Sequence, residues 1–146
     1  ALPGIDWMSS VSETESTTVT ISQEKPLASW RGTPAESLID LKNVSSAQCF
    51  FEGSAREAAS QFPRSSNITA MLAISTVGMD ATIVKLVVDP DADKMRTVIS
   101  CKSELGELEL IWHGIPTEAN PRTSRDVAFT VIKALRNLTS PMVIGV

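Results

Sequence analysis

Histidine occurs once in this chain, at His113, and cysteine twice, at Cys49 and Cys101. Structural zinc takes four thiolate or imidazole ligands at close spacings, so no zinc site is indicated, and two cysteines do not make the disulfide framework of a small secreted domain. Both thiols are expected to be free and buried. Long apolar runs are missing too. Met71 to Ile74 and Ile83 to Val88, the latter interrupted by Lys85, fall far short of the roughly 20 residues that span a bilayer. The chain begins at Ala1 without a basic-then-apolar signal segment, and it reads as cut rather than targeted. Lys and Arg total 13 against 17 Asp and Glu, for a net charge of −4. They form no cluster interleaved with aromatics, so a nucleic-acid surface has no electrostatic support. Gly-x-Gly-x-x-Gly, the P-loop, His-Glu-x-x-His and Gly-x-Ser-x-Gly are all absent, which removes the common nucleotide and hydrolase signatures. A soluble, cytoplasmic protein without membrane or nucleic-acid partners is the expectation, and the Asn-x-Ser/Thr triplets at Asn43, Asn67 and Asn137 then carry no glycosylation meaning.

What is present suffices for one domain. Hydrophobic side chains make up 42% of 146 residues, and no composition break divides residues 1–146. Ser16 to Ser22 is rich in β-branched residues and reads as a strand leaving into a loop that contains Pro26. Thr33-Pro34-Ala35-Glu36 offers an N-cap, a proline at the first helical position and an acid in the first turn, predicting a short helix with Leu38, Ile39 and Leu41 on its apolar face. Phe50 to Gly53 reads as a short buried strand and turn, after which Ser54 caps a helix that stops before Pro63. Ser66 to Ile74 is apolar almost all round, predicting a helix buried on several sides and ended by Gly78.

Three strand-like runs follow, at Thr82 to Asp89, Arg96 to Lys102 and Glu107 to Trp112, with turn chemistry at Asp89-Pro90-Asp91 and Leu105-Gly106. After Pro121, Val127, Val131, Leu135 and Leu138 recur at helical spacing and predict a long amphipathic helix covering the sheet. The class is α+β, a mixed and partly antiparallel sheet covered by helices.

The residues that carry most meaning are Asn120-Pro121-Arg122-Thr123-Ser124, behind Gly53-Ser54-Ala55-Arg56-Glu57-Ala58 and Asn67-Ile68-Thr69-Ala70. In that order they resemble the C-terminal catalytic domain of the L-aspartate dehydrogenase family, whose corresponding loop usually reads Asn-Pro-Lys-Thr-Ser. The likeness runs from Ala1-Leu2-Pro3-Gly4 to Ile144-Gly145-Val146. It implies the α+β fold shared with dihydrodipicolinate reductase-type enzymes. It also implies NAD or NADP as cofactor, bound mainly by a Rossmann domain not present in this chain, and a dicarboxylate or amino-acid substrate. The implied reaction oxidises L-aspartate to iminoaspartate, which gives oxaloacetate and ammonia or feeds NAD biosynthesis. A homodimer or larger homo-oligomer is implied as well.

Residue by residue, the resemblance sets Ala1 and Asn67 beside the nicotinamide. On the residues alone, Asn67 reads as an ordinary helix N-cap. The strand after the Asp-Pro turn carries, in the family, an Asn and then a catalytic His; here those positions hold Met95 and Thr97. A threonine hydroxyl orients water or holds a carboxylate but does not titrate near neutrality, so Thr97 occupies the catalytic position without the chemistry of a general base. His113, at a strand end beside Trp112, is the one imidazole that could substitute, its other reading being a packing residue. Arg122, Thr123 and Ser124 stand at a helix N-terminus, either as a cradle for a substrate carboxylate or as a simple helix cap. The competing expectation for the whole chain is a non-catalytic ligand-binding or subunit-assembly domain that keeps the fold.

Overall fold

The computed structural model describes residues 2–115 and 126–143. β1 (Thr18–Pro26) runs through the middle of a five-stranded sheet. On one side it pairs in parallel with β3 (Ile83–Asp89), and on the other it pairs antiparallel with β4 (Met95–Ser103). A tight hairpin joins β4 to β5 (Gly106–Gly114), and β2 (Gln48–Ser54) lies antiparallel along the outer edge of β3. The order is β2-β3-β1-β4-β5, which meets the mixed, partly antiparallel expectation and joins the two strands expected earlier in the chain to the three-strand run.

Parallel pairing of β1 with β3 requires a crossover, and most of the remaining elements lie within it. They are α2 (Leu27–Trp30), a 3₁₀ turn at Pro34–Ser37, β2, α3 (Ala55–Gln61), a second 3₁₀ turn at Pro63–Ser65, and α4 (Asn67–Ser75). Together with α1 (Ile5–Val11) these helices cover one face of the sheet. Met8 and Val11 of α1, Ala55 and Ala58 of α3, and Leu72 and Ala73 of α4 are buried with Val19, Ile21, Val84, Leu86, Val88 and Ile99 of the strands. The capping box predicted at Ser54 is formed: Ser54 Oγ accepts from the Glu57 N–H, while Glu57 accepts from the Ser54 N–H at 2.8 Å.

A register shift between Cys49 and Phe51 lets consecutive aromatic rings reach one cluster. Phe50 and Phe51 lie 5.9 and 5.3 Å from Phe62, ring centre to ring centre, and Phe50 meets Trp30 edge-on at 4.7 Å. The fully buried Trp30 donates its indole N–H to the Val87 carbonyl at 3.1 Å.

Several expectations are corrected. β1 does not leave into a loop before Pro26 but keeps its register with β3 to that residue; Pro26 lies past the last pair with β4, at a strand end where a missing N–H costs least. The helix after Thr33 is a single 3₁₀ turn, because Asp40 accepts from the Lys42 N–H and the Asn43 side chain and turns the chain away. Cys101 is buried, but Cys49 is exposed on the edge strand.

α4 buries Thr69, Leu72 and Ala73 and leaves Met71 and Ile74 exposed, since it packs against α1, α3 and the core with one face only. The amphipathic helix exists as α5 (Asp126–Asn137), yet Val127, Val131, Leu135 and Leu138 are all exposed, so it does not cover the sheet. No helix among the described residues is long and apolar enough to cross a membrane.

α4 is tied to the sheet by polar groups in an apolar phase of β1. Val19, Ile21, Gln23 and Lys25 alternate onto the helix-covered face. Gln23, 2% exposed, donates to the Ser65 carbonyl at 3.0 Å and to Thr69 Oγ1 at 2.9 Å. Lys25 Nζ donates to Ser65 Oγ at 2.9 Å and lies 4.8 Å above the Trp30 ring. Burial pushes Lys25 from its ordinary value near 10.5 down to about 8, because the ammonium loses water and, among the described ion pairs, gains no carboxylate.

Two outcomes follow from this packing. The unfolded chain holds the Lys25 proton that the folded one has lost between about pH 8 and 10.5, so this group's contribution to stability rises with pH across that window. Urea unfolding of Lys25→Met beside the parent at pH 7 and pH 10 is expected to show a smaller rise in the variant; equal rises would contradict the buried charge. Gly4 sits at φ 71° before α1, and a Cβ there would meet Leu108 at 3.0 Å. Gly4→Ala is expected to cost more than about 1 kcal/mol in the same unfolding assay.

Candidate functional site

Where β4 and β5 meet the start of α4, a cavity of about 250 Å³ opens on the helix-covered side of the sheet. Its floor comes from the alternation of two strands. Thr97 and Ile99 of β4 point up into it with Met95, and Trp112, the register partner of Thr97 on β5, closes that end. Gly114, opposite Met95, leaves room for that side chain: a Cβ at Gly114 would stand 3.2 Å from Met95 Cε. The roof is α4, through Asn67, Ile68 and Met71. Leu2 and Pro3 ahead of α1 form one side, and Val127 and Thr130 of the first turns of α5 form another.

Polar groups in this space are few. Asn67 is the first residue of α4 and is exposed; the cap position is Ser66, whose hydroxyl instead donates to the carbonyls of Ala58 and Phe62. The N-cap reading of Asn67 is thereby replaced, and its amide is left at the cavity mouth, able to donate and accept. Thr97 is 1% exposed, and its Oγ1 is the buried side-chain polar atom without a hydrogen-bond partner among the described residues. Gln23, its neighbour across the ladder on β1, is engaged by α4. No charged side chain lines the cavity among the described residues. Burial pushes the Cys101 thiol up, keeping it protonated at the foot of β4.

Asn67 and Thr97 are thus brought to one cavity together with Met95. His113 is not with them. It follows Trp112 on β5, pairs in register with Arg96, and is exposed on the opposite face. There Arg96 donates to both carboxylate oxygens of Glu24, at 2.8 and 2.7 Å. Ala1, Arg122, Thr123 and Ser124 lie outside the described residues.

Sequence reasoning passed over Gln23, Lys25, Trp112, Met71, Leu2 and Pro3. For Gln23 and Lys25 a signal existed: two polar residues in phase with Val19 and Ile21 on a strand must find partners in the core. Trp112 was legible as the partner of Thr97 only once the β4–β5 register was known.

The geometry has close counterparts. Residues 6–138 match the family model described as aspartate dehydrogenase, C-terminal. The chain is 42% identical over 137 residues to L-aspartate dehydrogenase of Acinetobacter baylyi, covering 94% of this chain and 52% of that protein. Against L-aspartate dehydrogenase of Serratia proteamaculans it is 44% identical over 138 residues, with the same coverage of 94% and 52%. It therefore spans about half the length of these relatives. A crystal structure of aspartate dehydrogenase from Thermotoga maritima superposes with a TM-score of 0.74 at 24% identity, over 99% of this chain and 53% of that one, and attests the fold. With most of its length matched by the family model and a fold shared end to end, this chain belongs to the aspartate dehydrogenase family and corresponds to that family's C-terminal domain.

Proposed function

We propose that this domain is the substrate-facing half of an NAD(P)-dependent amino-acid dehydrogenase of the aspartate type. The observation that carries the reading is the meeting of Asn67 and Thr97 at one cavity, on separate elements and with an apolar surround. NAD or NADP, held mainly by residues outside these 146, would supply the hydride acceptor. Asn67 fits an amide-bearing ring at the mouth, since its side chain offers both a donor and an acceptor. Ala1, which precedes the cavity residue Leu2 in sequence, is the small residue this reading assigns beside that ring. Arg122, Thr123 and Ser124 precede α5, whose Val127 and Thr130 reach the cavity, and they are the candidates for a substrate carboxylate.

In the reaction so read, the α-carbon hydrogen of L-aspartate leaves as hydride, the amine becomes an imine with loss of a proton, and water then yields oxaloacetate and ammonia. Thr97 orients substrate or water at the reacting carbon but takes no proton at neutral pH, and His113 faces away. The catalytic position is therefore served without a titrating side chain from the described residues. The cytoplasm is the setting this reading takes, in keeping with two free thiols.

A second reading rests on that same lack of a titratable group: a ligand-binding or assembly domain that kept the fold and gave up the chemistry. Two measurements separate the readings. The intact mass of the protein from its native source should exceed that of the 146-residue chain by a dinucleotide-binding domain, on the order of 100 residues. In that longer protein, Thr97→His should raise aspartate turnover by about 10²-fold, the low end for a general base; no gain in a folded variant favours the binding domain.

A second copy of this chain is the partner we propose for the open face of the sheet. Ile83 and Ile111 are exposed there, among cross-strand pairs of opposite charge at Glu24 with Arg96, Glu52 with Lys85, and Glu107 with Lys102. Such a mixed surface suits a two-fold contact. Sedimentation at micromolar concentration should give at least a dimer, and a monomer would remove this partner.

A further inference from the structure

We propose that the inner end of the cavity is a binding site for a small uncharged group, an amide, alcohol or ketone carried on a hydrocarbon body; this rests on the cavity being the ligand site of the proposed half-enzyme.

Three observations carry it. First, Thr97 is sealed from solvent and its hydroxyl has no partner. A valine of the same shape would fill the position without an unpaired polar atom, so the hydroxyl is a cost to the free fold. Second, the polar side chain opposite it does not serve it: Gln23 stands across the ladder from Thr97, but its amide nitrogen donates to Ser65 and Thr69. Third, the walls next to Thr97 are Met95, Ile99, Trp112, Ile68 and Met71.

A carboxylate pushed against those walls would lose its water for one hydroxyl contact, which does not repay the desolvation of a charge. A neutral oxygen or nitrogen loses far less and satisfies Thr97. Hydroxyl and methyl share one Cβ, and a staggered turn about χ1 exchanges which of them faces the cavity. Met71 and Met95 are unbranched and adapt to the shape of a hydrocarbon body. About 250 Å³ lies below the usual range for drug-sized ligands, roughly 300–1,000 Å³, so the site takes a small molecule or one end of a larger one. For an aspartate substrate, both carboxylates would then lie away from Thr97.

The test is a titration of the 146-residue chain with 3-methylbutanamide and with 3-methylbutanoate, which share a shape and differ in charge. Binding is followed by the amide resonances of Thr97 and Trp112. The amide should bind at least tenfold more tightly than the carboxylate. Thr97→Val should weaken the amide about fivefold and yet raise Tm, because the unpaired hydroxyl is gone. Thr97→Ser should keep the amide affinity.

Equal or tighter binding of the carboxylate would overturn the proposal. So would resonance shifts centred away from Thr97, absence of binding by both probes, or a Thr97→Val variant with lower Tm and unchanged affinity. None of these readouts depends on turnover. A failed titration leaves the dehydrogenase reading to its own assay, and a failed turnover assay leaves the titration intact.

Discussion

The parallel pairing of β1 with β3 governs the rest of this domain. Parallel neighbours cannot be joined by a short turn, so the chain between them leaves the sheet, adds β2 at its edge, and carries α2, α3 and α4 over one face before it returns. Because α2, α3 and α4 all lie in that crossover, they cover the same side of the sheet, and α1 joins them there. The crossover also determines what stands above β4, since α4 is the last element before the chain re-enters the sheet. Its start is drawn down by Gln23 and Lys25 on β1, through Ser65 and Thr69. A buried amide and a mostly buried ammonium are expensive in such a place, and each is compensated by contacts that also fix α4. The roof of the cavity therefore depends on a central strand that lines no part of it.

One-sided layering has a second consequence, in the division of labour between faces. Along β4 and β5, alternate residues face the helices or the open side. Thr97 and Trp112 face the cavity, whereas Arg96 and His113, one residue away, face outward. A single step in strand phase thus separates the imidazole from the site. The Arg96–Glu24 pair is half-buried on the open side, away from the cavity.

Much of this was legible in the residues because local rules and the fold agreed. Ser54 and Glu57 announced their capping box, and β3 and β4 were marked by β-branched runs and β5 by its alternation of Glu with Leu, all between turn residues. Legibility failed where burial depends on partners that a sequence does not show. Ile74 and Leu135 look like core residues by type and spacing, yet both are exposed, Ile74 because α4 packs with one face only and Leu135 on a helix whose Val127 and Thr130 line the cavity. Asn67 and Thr97 could be picked out only through family register. The cavity that joins them depends on the crossover, which no local pattern encodes. Gln23 was hidden for the opposite reason: its role is visible only as a polar residue in an apolar phase, a signal that needs the strand boundaries first.

The character of the cavity then constrains the chemistry this half can do alone. Asn67, Thr97 and Thr130 are its polar residues among those described, and none exchanges a proton at neutral pH. Such a surface can hold a ligand, turn it and exclude water, but it cannot supply acid, base or electron acceptor. If oxidation takes place here, the proton must leave by water or by residues outside the described set, and the hydride must go to a cofactor brought from outside this chain. An apolar pocket with one unpaired hydroxyl is a coherent design for that division. In the proposed dehydrogenase it would leave charge to the rest of the enzyme and keep for itself the orientation of the carbon that reacts, because positioning a bound group is the part of catalysis that needs no titrating side chain.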